Sequence, residues 1–129
     1  ITKQCSTIDL YSTIAELAEA KIEKKSEIQG ESLLHLIENP SAENRAVFVE
    51  TGGLYGPWPS PEKHNIFCVK MDGKKLIYND TPQSWEFYDL KNDPDELHNK
   101  YDENSKQIND LKKKLISHFK DNKIITKLN

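Results

Sequence analysis

Hydrophobic and polar positions change period partway along this chain. "IDLYSTIAELAEAKI" sets Ile8, Tyr11, Ile14, Leu17 and Ala18 on one face at helical spacing, with Ser6 or Thr7 available as a cap. The spacing predicts a helix over about Thr7 to Ala20. "ESLLHLI" predicts a second, short helical turn, closed at Asn39-Pro40 because a proline pushes the residue before it out of the helical region. After Arg45 the period shortens towards two. "AVFVET" predicts a short strand, and "NIFCVKM", Asp72-Gly73 and "KKLIYND" predict a strand, a tight turn and a strand. Asp-Gly suits a type I′ turn, which needs positive φ at both central residues.

"SWEFYDL" then predicts a fourth strand, with Trp85, Phe87 and Asp89 on one face and Glu86 and Tyr88 on the other. The cluster behind it reads as a helix start. Pro94 suits a first helical position, and Asp95 and Glu96 suit the positive end of the helix dipole. "SKQINDLKKKLISHFKDN" places Ile108, Leu111, Leu115 and Phe119 along one stripe, which predicts a closing amphipathic helix over a face of the sheet. The expected fold class is therefore α+β: a four-stranded antiparallel sheet packed with a C-terminal amphipathic helix, plus an N-terminal helical segment. The expected division is a helical segment over 1–45 and an α+β subdomain over 46–129.

Composition changes this picture little. At 129 residues the chain can bury a modest core without disulfides or metal. A net charge of −3 gives no case for nucleic acid or an acidic membrane surface as partner, and Lys112-Lys113-Lys114 reads as a solvated helix face. No apolar run approaches membrane-spanning length, and no signal-peptide pattern is present. Cys5 and Cys68 are too few and too far apart for a disulfide framework, and Cys68, among Ile66, Phe67 and Val69, reads as a buried inert thiol. The histidines show no ligand spacing, and His35 reads as packed or solvated, so no metal ligand and no catalytic residue is assigned.

The segment "TGGLYGPWPSPEKHN" between the first two strands is long for a compact domain and rich in glycine and proline. Its Tyr55, Trp58 and His64 are the candidate substrate-binding residues, as rings on a loop that could stack on a sugar. The structural alternative is a proline-stiffened lid whose Trp58 packs down.

Three blocks, in order, carry a resemblance: "IDLYSTIAELAEAKI" with "IQGESLLHLI", then "VFVE", then "KKLIYND" with "WEFYDLKNDPDELHN". The chain resembles the C-terminal end of the type I sulfatases of the alkaline phosphatase superfamily. That family shows a helix beginning near D-x-x-P-T, a G-x-S-L segment, and later K-L-I leading to E-L-Y-D-L-x-x-D-P-x-E-x-x-N. Ser12 stands where the family has proline, Phe87 where leucine is common, and Glu19-Ala20 where Ala-Gly often closes the helix.

The resemblance implies sulfate-ester hydrolysis by a parent enzyme that uses formylglycine and calcium, both held in a larger N-terminal domain. Ser41 and Arg45 have the spacing of the formylglycine motif C/S-x-P-x-R, but Glu43 replaces its proline and the position is wrong for the family. This chain alone is expected to be inactive, to buttress the sulfatase catalytic domain and to lend a loop to the substrate side. In isolation, two copies are expected to pair through the Ile8–Tyr11–Ile14–Leu17 stripe as a homodimer. Two rival expectations stand: a stand-alone glycan- or protein-binding module, and the same subdomain of a related phosphodiesterase or phosphonate hydrolase.

Overall fold

The computed structural model describes residues 3–22, 28–39, 41–52, 65–124, 126 and 128. Its elements run α1 (Asp9–Leu17), α2 (Leu34–Glu38), β1 (Val47–Gly52), β2 (Asn65–Met71), β3 (Lys74–Asn79), β4 (Ser84–Asp89) and α3 (Lys106–Asp121). The chain divides into two compact units, Ile1–Val47 and Phe48–Asn129.

In the second unit the strands form one sheet in the order β1-β2-β3-β4, with β2, β3 and β4 antiparallel neighbours. The Asp72-Gly73 turn has the predicted handedness, with φ of +53° and +74°. It fixes the register Val69↔Leu76 and Phe67↔Tyr78, and β4 continues it with Leu76↔Phe87 and Tyr78↔Trp85. Directly opposed residues share a face, so Phe67, Val69, Leu76, Tyr78 and Phe87 form one apolar surface. The α3 stripe of Ile108, Leu111, Leu115 and Phe119 is buried as expected, and α3 packs on β2 and β3. Phe67 and Phe119 meet edge to face at 4.7 Å, and Val69, Leu76 and Phe119 retain no solvent exposure.

The opposite sheet face is less wet than the alternation implied. Tyr88 and Cys68 lie on it and both are buried. Tyr88 donates its hydroxyl to Glu86 at 2.6 Å, Asn79 donates to the other Glu86 oxygen at 2.8 Å, and Lys75 pairs with Glu96 at 2.5 Å.

The largest departure from expectation follows β4. No helix starts at Pro94. Instead the buried Asp93 carboxylate accepts the backbone N–H groups of Leu97 at 3.1 Å and His98 at 3.0 Å. Glu96 is left-handed at φ +56°, which breaks any helical continuation. Aspartate competes for backbone donors as readily in a tight turn as at a helix cap, and here the turn wins. Helix α3 begins only after Ser105.

In the first unit, α1 is shorter than Thr7–Ala20. Neither Ser6 nor Thr7 caps it through a side chain, and Glu19 at φ +50° ends the helical path. Its rotation is also the reverse of what an amphipathic surface helix shows. Asp9, Ser12 and Ala15 are the buried residues, whereas Ile8, Tyr11, Ile14 and Leu17 are exposed.

Candidate functional site

Tyr55, Trp58 and His64 lie outside the described residues. The strands that lead into and out of their loop, β1 and β2, are described.

The resembling blocks come together as backbone-holding networks. In the first unit, Asp9 has no solvent exposure, and its carboxylate accepts the N–H of Ser6 at 2.7 Å, the N–H of Glu31 at 3.1 Å and the guanidinium of Arg45. Burial pushes the Asp9 carboxyl up, but these three donors outweigh it and hold the group below its ordinary 3.8. Thr13 accepts the N–H of Leu33 at 3.0 Å, and Ser12 donates to the Gly30 carbonyl at 2.7 Å. Ser12, where the family has proline, thus supplies an extra tie. Gly30 lies so close to the start of α1 that a Cβ there would stand 2.0 Å from the Ile8 carbonyl oxygen. Only glycine fits this approach.

In the second unit, Asn99 does for β4 what another strand would. Its Oδ1 accepts the N–H of Phe87 at 3.0 Å and that of Tyr101 at 3.0 Å, while Lys100 N–H donates to the Phe87 carbonyl at 2.8 Å. The outer edge of β4 is closed by this segment, which removes a row of free backbone groups. Behind it Trp85 and Tyr101 lie parallel with ring centres 6.3 Å apart, and the Lys112 ammonium sits 4.7 Å from the Trp85 ring centre. So Lys112 does not belong to the freely solvated face expected of the lysine run.

One cluster carried no signal in the sequence. His118 on α3 stacks on Phe48 at 4.0 Å, donates from Nε2 to Glu50 at 2.8 Å and accepts from Asn122 at Nδ1 at 3.1 Å. Because an ionised Glu50 carboxylate only accepts, Nε2 carries the proton of this bond. This group fastens β1 to α3 shortly before the Tyr55–Trp58–His64 loop. Glu50 and His118 lie 68 residues apart in sequence, so no local spacing could have announced the cluster.

The remaining reactive groups are quiet. Burial, only partly offset by Lys75 and Lys70, pushes the Cys68 thiol up to about 11. Cys5 is exposed. Among the described residues no group of three or more His, Cys, Asp or Glu side chains could hold a metal ion. Among the described residues no helix is long and apolar enough to cross a membrane. Among the described residues the arrangement holds backbone in place.

Comparison with known proteins agrees with the motifs. The family model for the C-terminal part of N-sulphoglucosamine sulphohydrolase matches residues 1–123. An N-acetylglucosamine-6-O-sulfatase of Bacteroides thetaiotaomicron is 31% identical over 129 aligned residues, covering 89% of this chain and 22% of the relative. The structure of BT4656 in complex with D-glucosamine-2-N,6-O-disulfate superposes with a TM-score of 0.68 at 27% identity, over 89% of this chain and 24% of that one. BT1596, a 2-O glycosaminoglycan sulfatase, superposes with a TM-score of 0.70 at 22% identity, over 90% of this chain and 25% of that one, a likeness of fold. The chain spans about a quarter of the length of the relatives it matches.

Proposed function

Because this chain belongs to the family of N-sulphoglucosamine sulphohydrolase C-terminal regions, we propose that it completes a sulfatase acting on a sulfated amino sugar. The observation that carries the reading is the 31% identity to an N-acetylglucosamine-6-O-sulfatase across nearly all of this chain. The structure of BT4656, solved with D-glucosamine-2-N,6-O-disulfate, points to the same substrate class. The reaction is hydrolysis of a sulfate ester, with a 6-O-sulfated glucosamine unit as the substrate class.

In this reading the formylglycine nucleophile and the calcium ion belong to the larger catalytic domain, and this chain contributes no reacting group. Its part is to buttress that domain and to present Tyr55, Trp58 and His64 towards the sugar. The anchoring of β1 by His118, Glu50 and Phe48 supports the second role, because a loop meets a substrate reproducibly only from a fixed strand.

The test is sulfate release by the full-length enzyme from N-acetylglucosamine 6-sulfate, with a phosphodiester and a phosphonate ester as competitors for the assignment. Turnover of the sulfated sugar is expected. Hydrolysis of the phosphorus esters in its place overturns the reading.

A further inference from the structure

Where the first turns of α3 pass the β2–β3 turn, the second unit carries a groove of about 440 Å³. Met71 and the buried Leu111 are its apolar members, and every other lining side chain is polar or charged. The charges are only partly matched within the fold. Lys74 pairs with Asp89 at 2.6 Å, and Asp110 lies 3.7 Å from Lys113. Lys106 and Lys114 are exposed, and among the described residues neither ammonium pairs with a carboxylate. Lys106 also opens α3, where the helix dipole disfavours a cation and no acidic residue in the first turn offsets it. Helix stability therefore does not account for this lysine.

On the reading of this chain as part of an amino-sugar sulfatase, we propose that the groove binds a sulfated sugar chain. Lys106 and Lys114 stand eight residues apart on α3, about 12 Å along its axis. A ligand with anionic groups at more than one point along its length meets both. Sulfate groups stay ionised and accept from ammonium donors, so they suit the two lysines. The carboxylates of Asp72 and Asp110 on the same groove repel a continuously charged surface such as an anionic membrane. They accept from hydroxyl groups, which lie between the sulfates of a sugar chain, and the Gln107 amide can donate or accept. Met71 and Leu111 offer apolar contact to the C–H face of a sugar ring.

The experiment is calorimetry on the full-length enzyme with a heparin-derived octasaccharide, a sulfated chain that contains glucosamine. The Lys106→Ala/Lys114→Ala variant should bind it about tenfold more weakly than the parent, the loss expected from two exposed ion pairs. Lys113→Ala removes a charge of the same helix outside the groove and should bind as the parent does. Lys106→Arg/Lys114→Arg keeps both charges and should retain the binding, which separates loss of charge from loss of fold. Absence of binding by the parent, or equal affinity in the double alanine variant, overturns the proposal. A matching loss with Lys113→Ala overturns it as well, because the effect is then one of net charge. An equal loss for poly-glutamate makes the groove a general anion surface and refutes the sugar assignment. Sulfate release from N-acetylglucosamine 6-sulfate is read on the parent enzyme. If none is released while the octasaccharide result holds, the functional reading falls and the groove stands.

Discussion

Asn99 offers the sharpest test of how the acidic segment after β4 works. Replacing it with alanine removes the acceptor for two backbone donors at once. The Phe87 N–H belongs to a buried residue of β4, and leaving such a donor unpaired costs about 1–3 kcal/mol. The Tyr101 N–H lies at the surface, where water replaces the lost bond and the net cost is about 0.5–1.5 kcal/mol. Together the loss comes to about 1.5–4.5 kcal/mol. For a unit of this size each kcal/mol shifts the midpoint by about 4–8 °C, so Asn99→Ala should unfold at least about 6 °C lower.

The control is Asn99→Asp. It keeps both acceptor bonds and gives up only the long 3.4 Å donation from Nδ2 to the Trp85 carbonyl. Its midpoint should stay within a few degrees of the parent. Thermal unfolding followed by tryptophan fluorescence reads both variants, because Trp85 sits on the affected strand. If the aspartate variant falls as far as the alanine variant, the argument that Asn99 acts as an acceptor is wrong.

Asp9→Ala should destabilise the first unit by about 2–4 kcal/mol, since it strands two N–H groups and the Arg45 guanidinium, and amide exchange in α1 should speed up accordingly. The pH dependence has a definite sign. The folded Asp9 carboxyl titrates below its unfolded 3.8, so its contribution is complete above pH 3.8 and is lost as pH falls through the lower folded value. Gly30→Ala should cost about 2–3 kcal/mol in the same assay, because the new methyl meets the Ile8 backbone and not a movable side chain. With Cys68 pushed up to about 11 and buried, a thiol reagent at pH 8 should modify Cys5 quickly and Cys68 only after denaturation; two equally fast thiols contradict the packing. In the full-length enzyme Trp58→Ala should raise KM about tenfold with kcat nearly unchanged if the ring stacks on the sugar, and an unchanged KM removes it from the site.

The strands, the Asp72-Gly73 turn and α3 were legible because each is specified locally. Period two, a dipeptide that accepts positive φ, and a stripe at Ile108, Leu111, Leu115 and Phe119 all point one way. Two local signals misled, each for a physical reason. Asn-Asp-Pro-Asp-Glu offers acidic acceptors beside a proline, and the same acceptors serve a turn or a helix start. Choosing between them depends on Asp93 reaching the N–H groups of Leu97 and His98. In α1 the apolar stripe was read correctly as a stripe, but periodicity does not say what covers it. The polar side was claimed by Asp9 and Arg45, 36 residues apart, a pairing no window of sequence displays. The cluster of Phe48, Glu50 and His118 was invisible for the same reason.

The motifs that make this chain recognisable are the residues that hold its backbone. Asp9, Thr13 and Gly30 lock the entry helix, while Asp93 shapes the turn after β4 and Asn99 closes the sheet edge. None of them presents a free reactive group, and the Asp9 and Asp93 carboxylates are both held below the ordinary value by backbone donors. A carboxylate stabilised in its charged form in this way is a poor proton carrier near neutral pH. The resemblance therefore reports a frame shared with the sulfatases. Sulfate release by the full-length enzyme is the measurement that tests the chemistry.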